Sequence, residues 1–104
     1  MKKIVLLCAA GMSTSILIQR MRDAAKEEGL ACTIDAFPTS LAHIQGKDAD
    51  VVLLGPQVKF ELRKVQSLLS CPVDVIDMVS YGTLNGRKVL QQAIRLMEEQ
   101  DGTQ

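Results

Sequence analysis

The sequence predicts a single α/β domain, a three-layer sandwich in which one four-stranded parallel sheet lies between helices on both faces. Three observations carry this expectation. Short aliphatic runs alternate with stretches of helical periodicity along the chain. The 104 residues, 47% of them hydrophobic, suffice for one core and not for two. The first aliphatic run, residues 3–8, lacks the polar alternation of a half-exposed strand, so it belongs in the middle of a sheet covered on both faces.

Residues 3–8 are strand one. The turn Ala9-Ala10-Gly11-Met12 follows, Ser13-Thr14-Ser15 offers an N-cap, and Leu17, Ile18, Met21, Ala24 and Ala25 recur at helical spacing until Gly29 ends the helix. Residues 31–37 form a second strand whose mixed patterning suits an edge, and Pro38 stops it. Between Ser40 and Gly46 there is room only for a short helical piece. Asp50 introduces Val51-Val52-Leu53-Leu54, a buried third strand terminated by Gly55-Pro56. Val58, Leu62, Val65 and Leu69 share one helix face, Pro72 restarts the chain, and residues 73–76 are short and β-branched enough for strand four. A final helix buries Val89, Leu90, Ala93, Ile94 and Met97, and residues 101–104 fray. Right-handed crossovers then give the strand order 2-1-3-4, a small flavodoxin-like fold.

Twelve basic and twelve acidic side chains leave no net field to attract nucleic acid or an anionic membrane, so partners must be met through a local patch. The longest apolar run, residues 4–10, is too short to cross a bilayer and reads better as a buried strand than as a signal peptide, so a soluble protein is expected. Cys8, Cys32 and Cys71 include no C-x-x-C pair, and His43 has no second histidine beside it. Neither a disulfide framework nor a metal site is supported, and the usage fits a reducing cytosol. Cys32 and Cys71 are expected as small buried apolar residues. His43 reads as a surface residue on the short helix.

In an open α/β sheet, ligands bind beyond the carboxyl ends of the strands where strand order reverses, here between strands one and three. Two loops meet there, Cys8-Ala9-Ala10-Gly11-Met12-Ser13-Thr14-Ser15 and Gly55-Pro56-Gln57. A short loop of small residues feeding a helix aims successive N–H groups at one spot, and the helix dipole adds positive potential, so the loop suits a dianion. The same donors would favour a thiolate on Cys8, improving it as a nucleophile and, once phosphorylated, as a leaving group. Gln57 and Tyr81 open the loops after strands three and four and are candidates for the rim of this mouth; ordinary loop polarity and a partly buried ring are the alternatives. Gly11 serves backbone conformation. Met12 is either an adaptable docking contact beside Cys8 or a filler of the core.

Low-molecular-weight phosphatases and arsenate reductases use C-x5-R-S at this place, the Arg clamping the phosphoryl group. Here the sixth residue after Cys8 is Thr14, so hydrolysis of a phosphocysteine should be slow. A flavin or nucleotide module is a third possibility, but Phe37, Phe60 and Tyr81 are the only rings available to sandwich a flavin. No cofactor is expected.

The loop at residues 8–15, followed by Ala36-Phe37-Pro38, the stretch 49–57, and Val75-Ile76-Asp77 with Tyr81-Gly82, resembles the lactose/cellobiose-type enzyme IIB family of sugar phosphotransferase systems. The Gly-Met-Ser-Thr-Ser form of the loop is similar to the cellobiose/chitobiose branch. The resemblance spans nearly the whole chain and implies one type-3 IIB domain over residues 1–104. It also implies a relay in which a phosphohistidine of enzyme IIA phosphorylates the IIB cysteine, and a sugar held by membrane enzyme IIC takes the phosphoryl group. On this chain the nucleophile would be Cys8; the amides of Ala9, Ala10, Gly11, Met12, Ser13, Thr14 and Ser15 would hold the phosphoryl oxygens, with the three hydroxyls as further donors. The resemblance further implies a cytoplasmic protein that meets the inner face of the membrane only through enzyme IIC.

Overall fold

The computed structural model describes residues 1–9 and 13–102. Four parallel strands, β1 (Lys2–Cys8), β2 (Cys32–Pro38), β3 (Val51–Leu54) and β4 (Val73–Val75), form one sheet of order β2-β1-β3-β4, as the alternation of runs requires. In β1 the four residues from Ile4 to Leu7 have no solvent exposure. Their lack of alternation follows from helices on both faces, and each contributes about 1.5–3 kcal/mol by burial.

The one core expected from the sequence is divided by the sheet into two layers, because both faces of the central strands are covered. Ile4, Leu6, Cys8, Val51 and Leu53 point towards α1 (Ser13–Glu27) and α5 (Gly86–Gly102), where Leu17, Met21, Val89, Leu90 and Ala93 meet them. Val5, Leu7, Val52 and Leu54 point the other way, against Ala42 of the short α2 (Ala42–Gln45) and Val65 of α3 (Leu62–Leu68). The period of two within β1 therefore sends Cys8 into the α1/α5 layer.

Gly29 closes α1 with φ +70°, where its N–H bonds the carbonyl of Lys26 and that of Leu30 bonds the carbonyl of Ala25. This is the paired Schellman closure that favours glycine at that residue. On the edge strand, Arg22 donates from Nε and Nη2 to the carbonyl of Ile34 and from Nη2 to Asp35. An arginine laid across an edge strand in this way hinders pairing with another chain.

Several boundaries differ from the sequence expectation. Ser13, Thr14 and Ser15 are the first three residues of α1, and the residue before them lies outside the described residues. Pro38 pairs with Cys8 as the last residue of β2; an edge strand tolerates proline because one side of it makes no ladder. The face from Val58 to Leu69 is not one helix. Residues 56–61 are a 3₁₀ turn broken at Val58 (φ −118°, ψ 23°), α3 begins at Leu62, and Leu69 has already turned extended. All four side chains still reach the same core. Ile76 lies beyond β4, although its N–H bonds the carbonyl of Leu54 at 2.8 Å. Ile94 is only partly buried, on the flank of its helix. A helix not expected from the sequence, α4 (Met78–Gly82), follows β4.

Candidate phosphoryl site

Cys8 is the last residue of β1 and only 5% exposed, while the next residue, Ala9, is exposed. The chain enters α1 four residues after Ala9, which puts the positive end of a 15-residue helix close to the sulfur. β3 ends beside it, with the N–H of Gly55 bonded to the carbonyl of Leu7 at 2.9 Å. This is the carboxyl end of the sheet at the reversal of strand order, because β1 lies between β2 and β3.

Side chains from two further elements converge on this point. A Cβ placed on Gly55 would stand 3.4 Å from Cys8 Sγ, 3.1 Å from Gln57 Oε1 and 3.5 Å from Tyr81 Cε2. The two rim candidates, Gln57 from the 3₁₀ turn and Tyr81 from α4, thus flank one space with the thiol. Gln57 is exposed, whereas Tyr81 is buried at 8% exposure. Tyr81 accordingly lies in a helix and not in a loop, with its ring edge beside the thiol.

The Tyr81 hydroxyl and Thr14 Oγ1 share a hydrogen bond of 3.3 Å between buried groups. The bond ties the first turn of α1 to α4 and holds the Thr14 hydroxyl, expected from the sequence as a phosphoryl donor, beside the tyrosine. Removal of either partner leaves a buried hydroxyl short of a bond, so Tyr81→Phe should lower stability by about 1 kcal/mol. In urea titrations, adding Thr14→Val to Tyr81→Phe should cost less than the sum of the two single changes.

The placement of Tyr81 depends on how α4 is capped. Asp77 accepts from the Ser80 N–H at 2.6 Å and from the Ser80 hydroxyl at 2.9 Å. These bonds, aided by Lys88, hold the Asp77 carboxyl below its usual range. The ionised cap therefore supports α4 fully above the ordinary aspartate pKa, and that support is lost as pH falls through the lower folded value. The Ser80 amide resonance should follow this titration, and Asp77→Asn should remove it.

At its far end α4 closes on Leu84, which adopts φ +53°, with N–H bonds from Leu84 to the Tyr81 carbonyl and from Asn85 to the Ser80 carbonyl. A leucine in this conformation costs about 1 kcal/mol or more. Arg20 of α1 bonds the Leu84 carbonyl at 3.2 Å, and the Leu84 side chain packs on the α1/α5 core, so the strain is held in place.

Ser15 lies exposed on α1 and Ser13 is its first residue, while Ala10, Gly11 and Met12 lie outside the described residues. No clamp of the C-x5-R type is formed by the arginines of α1. Arg20 serves the α4 terminus and Arg22 the edge of β2. Cys32 and Cys71 are half-buried, not fully buried as expected, because one begins the edge strand and the other lies in the turn before β4. Burial nevertheless pushes both thiols up. His43 is exposed on α2. Among the described residues, no group of three or more His, Cys, Asp or Glu could hold a metal ion, and no helix is long and apolar enough to cross a membrane.

The chain is similar to proteins whose roles carry names. The family described as "PTS system, Lactose/Cellobiose specific IIB subunit" matches residues 3–92. The oligo-beta-mannoside-specific EIIB component of Bacillus subtilis (strain 168) is 42% identical over 103 residues, covering 96% of this chain and 100% of that protein. The galactose-specific EIIB component of Lactococcus lactis subsp. cremoris (strain MG1363) is 45% identical over 104 residues, covering 92% of this chain and 96% of that one. The solution structure of a cellobiose-specific phosphotransferase IIB component from Borrelia burgdorferi superposes with a TM-score of 0.75 at 39% identity, covering 94% of this chain and 93% of that one. With the sheet order, Cys8 at the end of β1 and a family match across most of its length, this chain belongs to the lactose/cellobiose-specific IIB subunits of the sugar phosphotransferase system.

Proposed function

We propose that the protein is a cytoplasmic phosphoryl carrier that takes a phosphoryl group from a phosphohistidine of enzyme IIA onto Cys8 and gives it to a sugar bound by membrane enzyme IIC. The observation that carries this reading is the position of Cys8, the last residue of β1, at the sheet's switch point, between the start of α1 and the Gln57 and Tyr81 side chains.

In the first transfer the sulfur attacks phosphorus as the P–N bond breaks. The bonding pair stays on the imidazole nitrogen of enzyme IIA, which takes up the thiol proton. In the second, a sugar hydroxyl attacks phosphorus and the S–P bond breaks. The sulfur leaves as thiolate, and the hydroxyl proton passes to a base of enzyme IIC or to solvent. Both steps require mainly positioning and electrostatic support of the phosphoryl oxygens, the role assigned to the amides of residues 9–15 and to the hydroxyls of Ser13, Thr14 and Ser15. The whole chain, residues 1–104, acts as one such domain, and both partners reach the same sulfur in turn.

A hydrolytic reading is disfavoured by Thr14 at the clamp position and by the engagement of Arg20 and Arg22 elsewhere. The sugar is a cellobiose- or chitobiose-type β-glucoside in this proposal, although relatives of nearly equal identity bear the names of different sugars, as expected if enzyme IIC does the selecting. The test is retention. Labelled phosphoryl from phosphorylated enzyme IIA should pass to this chain, survive removal of IIA, and leave on addition of membranes carrying IIC and a β-glucoside. Rapid turnover of an aryl phosphate, or no transfer from IIA, would defeat the proposal.

A further inference from the structure

Gly55 adopts φ −63° and ψ 152°, an extended conformation open to any residue, and one that Pro56 after it also favours. The backbone therefore does not require glycine. What a side chain would meet is the site itself. A methyl group would touch Cys8 Sγ at 3.4 Å and the Tyr81 ring at 3.5 Å, and would crowd the flexible Gln57 side chain at 3.1 Å. The fold could accept that methyl with a shift of a few tenths of an ångström in Gln57. By contrast, Gly86 is hemmed in by main-chain atoms of α1.

We infer that the missing side chain of Gly55 keeps open the space beside the Cys8 sulfur, walled by Gln57 and Tyr81, into which the phosphoryl group moves as it is transferred. This rests on the carrier reading above and adds to it the β3 side of the site. Phosphorus approaching sulfur needs room for three equatorial oxygens, and with the Tyr81 ring fixed by α4 the group that can yield is the Gln57 amide. A methyl at residue 55 would occupy the room and displace the approach by a fraction of an ångström to an ångström, an error that costs on the order of 10- to 100-fold in rate.

The experiment compares wild type, Gly55→Ala and Gly55→Val in single-turnover transfer from phosphorylated enzyme IIA, alongside urea titration of each. Gly55→Ala should fold with an unchanged or slightly raised midpoint, because alanine restricts the unfolded chain more than glycine does. Its transfer rate at saturating IIA should fall by about 10-fold or more. The IIA concentration at half saturation should stay as in wild type, and Gly55→Val should be slower still. A purely structural glycine would give the reverse, a loss of stability with the transfer rate of the folded fraction intact.

Transfer by Gly55→Ala at the wild-type rate would overturn the inference, and so would its failure to fold. A wild-type measurement stands apart from any variant: the Gly55 amide and the Gln57 side-chain amide resonances should shift when the protein is phosphorylated, and unmoved resonances would also overturn it. If wild type itself accepts no phosphoryl group, the carrier reading has failed. If wild type accepts it and Gly55→Ala does so equally fast, only the role of Gly55 has failed.

Discussion

Cys8→Ser should fold normally and abolish IIB-dependent sugar phosphorylation, with a loss on the order of 10³-fold or more in a reconstituted chain of donor proteins and IIC membranes. The substitution replaces one atom in a residue already 5% exposed, so the α1/α5 core should be little disturbed. A serine hydroxyl at that place is a far weaker nucleophile than a thiolate, and a phosphoserine, if formed, is a poor donor to a sugar hydroxyl. Cys32→Ser and Cys71→Ser should retain transfer, since burial holds both thiols in the neutral form. Substantial activity in Cys8→Ser, or its loss in Cys32→Ser, would place the chemistry elsewhere.

Gly86→Ala should have the largest effect on stability. A Cβ at this residue would lie 2.5 Å from the carbonyl carbon and 2.6 Å from Cβ of Arg20, and 2.6 Å from the Met21 nitrogen. Two of these three atoms are main chain, so relief requires α1 and α5 to separate rather than one side chain to turn. Overpacking of this kind costs about 1–3 kcal/mol and here belongs at the upper end, a considerable share of the 5–15 kcal/mol typical of a domain. The urea midpoint should fall accordingly with the slope unchanged. The contrast with Gly55→Ala is informative, because both glycines are buried yet one is needed for helix packing and the other for space at the sulfur.

The sheet was legible because its strands are fully buried. Residues 51–54 and most of β1 are aliphatic without interruption, and such runs leave little choice of structure. Cys8 was legible for a related reason, since position at the end of β1 and beside a helix start follows from the order of elements alone. Gln57 was brought to the mouth by the same logic.

Tyr81 follows β4 as the order of elements indicates, but it lies in a helix that the sequence does not announce. Its helix is five residues long, too short to show periodicity, and only Asp77 three residues before Ser80 hints at its cap. The Thr14–Tyr81 bond joins residues 67 positions apart, and no local pattern announces such a pair. The partial exposure of Cys32 and Cys71 shows the limit of residue type as a guide to burial: both lie where an element begins or turns, and the geometry there decides more than hydrophobicity does. Glycines posed the same difficulty. In the sequence Gly55 is a strand terminator and Gly86 carries no signal at all, because what distinguishes them is their neighbours in space.

On this reading phosphate resides on the sulfur of Cys8 between two transfers. The direct measurement is to trap the protein after exposure to phosphorylated enzyme IIA, digest it under conditions that preserve the S–P bond, and locate the phosphoryl group by fragment mass. One phosphoryl group is expected on the peptide containing Cys8, absent from Cys8→Ser and discharged by IIC membranes with sugar; phosphate on His43, or on no residue at all, would rule out Cys8 as the carrier.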